Sequence, residues 1–279
     1  MANPDVRMTG TATWIAAARA RESARADRLF ADPWAESLAG STGAAWLTAS
    51  ERAGSGENRF LPVRTRFFDD VLLDNVDRAE QIVLLGAGLD TRAYRLPLPR
   101  RLTVFELDLP EPLSHKETVL AAAAARPACR RVAVPADFRG DWTDPLVAAG
   151  FDPLRRTAWL AEGLLCHLDP ASVRGLLVRA AELSQAGAVL AADLFGTGLL
   201  GLPGTRGWIE QRRRAGEPAP FCTDRPAALL AETGWPRCEL TEPGQPAANF
   251  GRLAPVPPHW SGGADPTLRT YLAVARTAG

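Results

Sequence analysis

The stretch QIVLLGAGLDTRAYRL, residues Gln81–Leu96, decides the fold that this sequence predicts. Its first part, Gln81–Leu85, is an apolar run of aliphatic and β-branched residues that stops at Gly86-Ala87-Gly88. A buried parallel strand that turns sharply at its carboxyl end has this pattern. Because glycine has no Cβ, the chain can turn tightly there and a ligand can lie against the backbone. We therefore expect a parallel strand followed by a ligand-binding turn.

A second apolar run, Leu102–Asp108, follows and ends in two acids, Glu106 and Asp108. Rossmann-type sheets hold the ribose hydroxyls of a cofactor with an acid at the tip of the second strand. The pair of runs therefore predicts an adenosine-containing cofactor. The strict dinucleotide fingerprint GxGxxG needs a glycine where this chain has Thr91, which disfavours NAD. The sequence also contains no GxxxxGK[ST] motif, which disfavours a P-loop nucleotide site.

Strand and helix patterns alternate from Gln81 onward, which predicts a parallel sheet with right-handed crossovers. The candidate strands are Gln81–Gly86, Leu102–Leu107, Arg131–Pro135, Thr157–Ala161, Ala188–Asp193, Arg237–Thr241 and Thr270–Arg276. Residues 1–80 show no strand alternation. They contain helical patterns at Ala16–Leu29, from Asp32 onward, and at Phe60–Val76. We expect an N-terminal helical layer over 1–80, in the same domain as a core over 81–279.

The composition of the 279-residue chain limits the classes of partner. Its formal net charge is zero, with 32 basic and 32 acidic residues, so nothing favours nucleic acid or an anionic membrane. We find neither a long apolar stretch nor a signal-peptide pattern, and we expect a cytoplasmic protein. The four cysteines are scattered without a CxxC pair, which predicts free thiols and no metal site. The sequence leaves the oligomeric state open.

Further motifs accompany the central stretch. Beside LLGAGLDTRAYRL and FELDLP, the chain contains TATWIAAARARES with FADPWAESL, then VRTRFFDD, VPADFRGDW and AEGLLCHLDP. From about Thr11 to Pro170 this set resembles the leucine-carboxyl-methyltransferase-like family of S-adenosylmethionine-dependent methyltransferases, and in particular its actinobacterial O-methyltransferase branch. The resemblance implies a class I methyltransferase (Rossmann-like) α/β fold. Its features would be a seven-stranded sheet with an antiparallel last hairpin, the N-terminal helical layer, and a lid insertion after strand five at about residues 195–224.

The resemblance also implies S-adenosyl-L-methionine as cofactor, with S-adenosyl-L-homocysteine as product. A guanidinium fork suits the carboxylate of the cofactor's amino-acid tail. Arg66 in VRTRFFDD is similar to the arginine that the family uses for this purpose, and Arg64 is the alternative. Arg21 in RARES falls where the family has a second basic residue. Gly86 and Gly88 would form the turn against which the cofactor lies, with the Gly86 carbonyl accepting from the ammonium group.

The remaining cofactor contacts implied by the resemblance follow the next three strands. Asp108 resembles the ribose-binding acid, with Glu106 as the alternative, whose other reading is an ion pair with an arginine. Asp137 would accept from the adenine amino group while Phe138 covers the ring; the other reading of Asp137 is a turn cap. Glu162 would face the cofactor, where a carboxylate suits the ammonium and sulfonium charges.

The predicted function is O-methylation of a carboxyl or hydroxyl group on a small molecule, with natural-product biosynthesis as the expected setting. A carboxylate is already ionised near neutral pH, whereas a phenol would benefit from a base. His167 is the candidate catalytic residue, although a lone histidine is more often structural. Two alternatives are a nicotinamide-dependent oxidoreductase and a non-catalytic S-adenosylmethionine-binding protein. The first is disfavoured by Thr91 and by the missing Tyr-x-x-x-Lys pair, since Lys116 is the only lysine.

Overall fold

The computed structural model describes residues 4–53, 56–201, 205–214, 216–217, 219–253 and 266–278, and within these only the backbone of 4–10, 53, 207, 208, 211 and 266. Seven strands form its central sheet: β1 Gln81–Leu85, β2 Thr103–Asp108, β3 Arg130–Pro135, β4 Thr157–Ala161, β5 Val189–Phe195, β6 Arg237–Thr241 and β7 Thr270–Arg276. Their order is β3-β2-β1-β4-β5-β7-β6. Strands β1 to β5 are parallel, and β7 runs antiparallel to both β5 and β6. The predicted seven-stranded sheet with an antiparallel last hairpin is confirmed.

The central strand β1 has a continuous apolar sequence because both of its faces are buried. Val83 belongs to a core cluster on one face that includes Trp159 of β4. Ile82 and Leu84 belong to the cluster on the other face, which includes Leu160. Parallel sheets covered on both faces have this composition. The apolar runs therefore mark the strands, and their carboxyl ends mark the edge where ligands bind.

Nine helices surround the sheet in the described ranges: α1 Pro4–Ser23, α2 Ala35–Ala53, α3 Phe60–Asn75, α4 Arg92–Arg95, α5 Pro110–Ala122, α6 Thr143–Ala148, α7 Pro170–Glu182, α8 Arg206–Arg214 and α9 Pro226–Glu232. Helix α7 begins as its sequence predicts, with the Asp169 carboxylate accepting from the first free backbone N–H groups. None of the described helices is both long and apolar enough to cross a membrane. Helix α8 lies in the segment inserted after β5.

The end of α1 differs from the prediction of a helix over Ala16–Leu29. The helix stops at Ser23 because side chains at its end bond the backbone of the next segment. The Ser23 hydroxyl accepts from the Asp32 N–H at 2.8 Å, and the Glu22 carboxylate accepts from the Leu29 N–H at 2.7 Å. These bonds fold residues 24–32 back along the helix.

Helices α1 and α2 approach each other closely at Gly43. A Cβ at this buried position would overlap the carbonyl group of Thr13, with only 2.8 Å to its carbon atom. Thr13 lies on the same helix as four residues that line the candidate site described below. Glycine at position 43 therefore sets how closely the N-terminal layer packs.

We predict that Gly43→Ala lowers the free energy of unfolding by about 1–3 kcal/mol, because the added methyl group forces α1 and α2 apart. Gly175→Ala on α7 is the matched control, since its Cβ would meet no atom within 4 Å. Relief of glycine's backbone entropy there should raise stability by roughly 0.5–1 kcal/mol. Urea unfolding of both variants measures the difference, and equal effects would contradict the close approach at Gly43.

Candidate active site

A cavity of ≈410 Å³ opens at the carboxyl ends of β1 to β4. Here the strand order reverses, with β2 on one side of β1 and β4 on the other. Open α/β sheets bind ligands at such switch points, and small-molecule sites typically have volumes of about 300–1,000 Å³. The described walls come from α1, α3 and α8, from the turn after β1 with α4, and from the segments after β2, β3 and β4.

The turn after β1 depends on its two glycines. Gly86 and Gly88 have φ values of 66° and 43°, in the left-handed region that favours glycine. A Cβ on Gly86 would also lie 2.9 Å from a methyl carbon of Leu164, so this turn packs directly on the segment after β4. Both glycines line the cavity, as the sequence predicts for a ligand-binding turn.

The two candidate ribose acids have different surroundings. Asp108 lies on the cavity wall, and its carboxylate accepts from the N–H groups of Gly88 at 2.6 Å and Leu109 at 2.7 Å. Burial raises the pKa of Asp108 above its usual value, while these two hydrogen bonds act in the opposite direction. Each carboxylate oxygen has more than one lone pair, so both can accept a further hydrogen bond.

Glu106 is fully buried and is not on the cavity wall. One of its oxygens lies 2.6 Å from the ammonium of Lys116 and 2.6 Å from the guanidinium of Arg131. Lys116, itself fully buried, also donates to the carbonyl of Asp90 at 3.1 Å. Glu106 therefore forms buried ion pairs, and Asp108 is the candidate ribose acid that faces the cavity.

The structure does not bring Arg66 or Arg21 to the cavity. The Arg66 guanidinium lies 2.8 Å from Asp70, one turn further along α3, and Arg21 lies 2.6 Å from Glu51 of α2. This corrects the expectation that both line the site. Two residues along an α-helix correspond to a rotation of about 200°, so side chains two positions apart lie on opposite faces of the helix. An assignment that is wrong by two residues therefore selects a side chain on the wrong face.

Two of the arginines that line the cavity, Arg64 and Arg19, each lie two residues before an expected one. Arg64 was the alternative to Arg66, whereas Arg19 was missed. Its signal was the helical phase of α1, in which Ala12, Ile15 and Arg19 follow one another at intervals of three and four. Arg19 donates to Asp32 at 2.9 Å and to the carbonyl of Leu89 at 2.6 Å.

Arg64 belongs to a network of buried ion pairs behind the cavity. It lies 3.1 Å from Glu162 at the end of β4 and 2.8 Å from Asp193 of β5. Arg92 of α4 lies 2.6 Å from the other oxygen of Glu162. Burial alone would raise the pKa of Glu162, but the charges of Arg92 and Arg64 outweigh it and hold the pKa below its usual value. Glu162 lines the cavity as an ionised group.

The network extends along α3 and α4. Asp69 of α3 accepts from Arg92 at 2.7 Å and from Arg95 at 2.5 Å, and Asp90 pairs with Arg92. Within the described residues, the network contains four carboxylates, of Asp69, Asp90, Glu162 and Asp193, and three guanidinium groups, of Arg64, Arg92 and Arg95. Beside the network, Arg19 and Asp32 form an ion pair whose opposite charges cancel. The network therefore gives this end of the cavity one net negative charge.

Asp137 and Phe138 line the cavity next to β3. Asp137 is half-exposed and lies 2.6 Å from the guanidinium of Arg139, which with its hydrogen bonds holds the pKa of the carboxyl below its usual value. Phe138 is buried and packs edge-on against Trp142 at 6.0 Å. Asp137 is therefore an ionised acceptor at the cavity wall beside an aromatic side chain.

His167, the candidate catalytic residue, lines the cavity and contacts the inserted helix α8. The guanidinium of Arg212 lies 2.9 Å from its Nδ1 and also donates to its carbonyl at 3.2 Å. Because arginine only donates hydrogen bonds, Nδ1 is the acceptor and Nε2 carries the proton. Burial, together with the charges of Arg212 and Arg64, lowers the pKa of His167 to about 4. The side chain of Trp208, another residue of this segment, lies outside the described part.

Comparison with known proteins identifies the architecture around this cavity. Residues 12–181 match the family described as Leucine carboxyl methyltransferase. The chain belongs to this leucine carboxyl methyltransferase family. A relative from Frankia alni is 40% identical over 262 residues, which cover 88% of this chain and 90% of the relative. A relative from Mycobacterium avium is 37% identical over 292 residues, which cover 96% of this chain and 90% of the relative.

Both relatives are provisionally named S-adenosyl-L-methionine-dependent methyltransferases. The chain is accordingly an S-adenosylmethionine-dependent methyltransferase, which confirms the predicted family and cofactor and leaves no support for a nicotinamide-dependent oxidoreductase. Two solved structures show the same fold at 18% identity. One is a DUF574 family protein from Streptomyces avermitilis (TM-score 0.59, 92% of this chain and 99% of that one). The other, provisionally called a methyltransferase, is from Thermobifida fusca (TM-score 0.58, 86% of this chain and 90% of that one).

The state of His167 in this methyltransferase leads to a prediction for stability. In the unfolded chain a histidine has a pKa of about 6.5, so between pH 6.5 and 4 the unfolded state binds a proton that the folded state does not. Stability from this residue is therefore present above pH 6.5 and is lost as the pH falls. Between pH 6.5 and pH 5 the loss should be about 2 kcal/mol.

Guanidinium unfolding at pH 5 and pH 7 measures this loss in the natural protein and in His167→Asn, whose side-chain oxygen can still accept from Arg212. We expect the variant to lose about 2 kcal/mol less than the natural protein over this interval. The same pH dependence in both proteins would show that His167 titrates normally in the folded state.

Proposed function

We propose that the protein transfers the methyl group of S-adenosyl-L-methionine to a carboxylate oxygen of a small molecule. The cavity at the strand ends supports a small acceptor, and the family resemblance supports a specialised metabolite. The hydrogen bond from Arg212 to His167 carries the choice of a carboxylate over a phenol or alcohol.

The described residues fit the three parts of this cofactor. Asp108 offers lone pairs on both carboxylate oxygens for the two ribose hydroxyls. Asp137 and Phe138 would hold the adenine, by a hydrogen bond and by ring contact respectively. At the opposite end, the single net negative charge of the ion-pair network suits a ligand that carries one net positive charge, as S-adenosylmethionine does.

Arg64 and Arg19 would hold the carboxylate of the amino-acid tail. In the described part of the chain, the Nη2 atom of Arg64 and the Nη1 atom of Arg19 have no hydrogen-bond partner, although both side chains line the cavity. The remaining nitrogens of each guanidinium are fixed by protein acceptors. Each arginine therefore presents an oriented donor that costs little entropy to use. Glu162 would lie near the ammonium group.

When bound, the cofactor supplies a methyl group on a cationic sulfur that is open to in-line attack by a nucleophile. The contribution of the chain is to hold both reactants in line and to exclude water, and such orientation is the main source of acceleration for a transfer of this kind. The Gly86 turn and Leu164 pack against each other and shape the wall where the two ligands would meet.

None of the three titratable groups that line the cavity from the segment after β4 is arranged as a base. His167 is neutral with its only free lone pair, on Nδ1, bound to Arg212. Glu162 is ion-paired with two arginines. Asp169 caps α7. The contacts of these three groups favour an acceptor that arrives ionised. A carboxylic acid with a pKa near 4 does so at neutral pH, whereas a phenol with a pKa near 10 does not.

Substitution of the two acids of β2 should separate binding from stability. We expect Asp108→Ala to weaken binding of S-adenosyl-L-homocysteine by about 1–3 kcal/mol, because ribose donors lose their acceptor, while the fold is retained. Glu106→Ala should instead lower stability by about 3–5 kcal/mol, because it leaves Lys116 as a buried cation without a carboxylate partner. Calorimetric titration and urea unfolding measure the two effects. A binding loss confined to Glu106→Ala would move the ribose site to that residue.

The carboxylate proposal is tested by methyl transfer to carboxylic acids and phenols that share the same carbon skeletons. Incorporation of labelled methyl groups should favour the acids at pH 7. The rate with an acid should stay within about twofold between pH 6 and pH 8.5, since neither acceptor nor His167 titrates there. His167→Asn should keep this activity. Preference for the phenols, with a rate that rises with pH, would overturn the choice of acceptor.

A further inference from the structure

The segment 242–253, which follows β6, reaches across the molecule to the N-terminal layer. Its buried residue Arg252 contacts the end of α1, more than two hundred positions earlier in the sequence. Together with Phe250, Arg66, Glu22 and Asp27 it forms a group of contacts that we call the clasp. None of these five residues lines the cavity.

Arg252 binds the end of α1 with its guanidinium fork. It donates to the Glu22 carboxylate at 2.8 Å, to the Asp27 carboxylate at 2.9 Å and to the Asp27 carbonyl at 2.5 Å. Glu22 is buried, and Arg252 at 2.8 Å is a nearer cationic partner than Arg25 at 3.8 Å. Charge-assisted bonds with a planar fork fix orientation as well as distance.

Arg66, the motif arginine that does not reach the cavity, belongs to the same clasp. Its guanidinium donates to the carbonyl of Leu29 at 2.9 Å and lies 5.6 Å from the ring centre of Phe250. It therefore holds residues 24–32 between α3 and the segment 242–253. This gives the VRTRFFDD motif a role in the structure other than direct contact with a ligand.

The clasp has a firm anchor on its C-terminal side. Ala248 is fully buried in the core cluster that packs against β1. Asn249 donates to the carbonyl of Leu253 at 2.7 Å and accepts from the N–H of Gly251 at 2.8 Å, which fixes the turn that carries Arg252. The contacts at α1 are thus attached to the sheet.

A short path joins the clasp to the cavity wall. Glu22 lies one helical turn after Arg19, whose side chain lines the cavity. Asp32, at the end of the segment that the clasp holds, accepts from Arg19 at 2.9 Å and from the Thr91 hydroxyl at 2.6 Å. Loss of the clasp would free the end of α1, and with it the wall that Arg19 belongs to.

We propose that Arg252 is a positioning residue of the cofactor site, which holds α1 against the strand ends so that Arg19 and its neighbours close one wall of the cavity. The effect on ligand affinity rests on the cofactor site proposed above, whereas the effect on α1 does not. The proposal assigns a role to a residue on the C-terminal side of the molecule, outside the stretch that carries the family motifs.

Hydrogen exchange on Arg252→Gln tests the proposal, with Arg174→Gln as control. Arg174 also pairs with a glutamate, at 3.0 Å, but it lies on the exposed face of α7. Without ligand, peptides from residues 11–23 should exchange roughly three- to thirtyfold faster in Arg252→Gln, while β1 to β5 keep their protection. Saturating S-adenosyl-L-homocysteine should restore most of the protection of α1.

Titration and kinetics give the second readout. Arg252→Gln should weaken the binding of S-adenosyl-L-homocysteine and raise the KM for S-adenosylmethionine by the same roughly three- to thirtyfold, with kcat near its normal value, because no clasp residue lines the cavity. Arg252→Lys keeps the charge but not the guanidinium fork, so its affinity and KM should lie between those of the natural protein and Arg252→Gln. The lysine variant replaces the glutamine variant if the latter does not fold.

Unchanged exchange of α1, or faster exchange spread equally over the whole sheet, would overturn the proposal. Changed exchange of α1 with unchanged affinity would overturn the link to the cofactor site. If the natural protein fails to bind S-adenosyl-L-homocysteine, the proposed cofactor site is wrong, and the comparison of ligand-free exchange still decides whether the clasp holds α1.

Discussion

The ion pairs of Glu162 with Arg64 and Arg92 hold together the elements that form the site. Glu162 directly follows β4, Arg64 lies on α3 and Arg92 lies on α4. Removing such charges from water is costly, and the cost is offset only when every group keeps its partners in good geometry. Loss of one partner leaves a buried charge uncompensated, at about 3–5 kcal/mol. The relative positions of three elements are therefore fixed by one carboxylate.

The same pairs also set the charge of the cavity wall. Because the guanidinium groups are bound from behind by carboxylates, they can line a cavity without attracting every anion. A neutral interior would hold the helices as well, and the replacement of buried ion pairs by apolar residues often costs nothing in stability. The stability of the fold alone therefore does not require charged groups at this position.

The sequence predicts the sheet well and the arginines poorly, for related physical reasons. A fully buried strand needs a continuous apolar run, so β1 and β4 begin and end within one residue of the predicted bounds. A short motif on a helix does not define which face is buried, and a shift of two residues separates Arg64 from Arg66. The partner of His167 could not be predicted either, since Arg212 lies 45 positions further along the chain.

The burial of Lys116 has a practical consequence for the chemistry of the whole surface. It is the only lysine in the chain, and it is fully enclosed by Glu106 and the Asp90 carbonyl. Apart from the α-amino group of the chain, the folded protein offers no primary amine to acylating dyes, aldehyde fixatives or amine-directed cross-linkers. Labelling of this one side chain would instead report that β2 and α5 had separated.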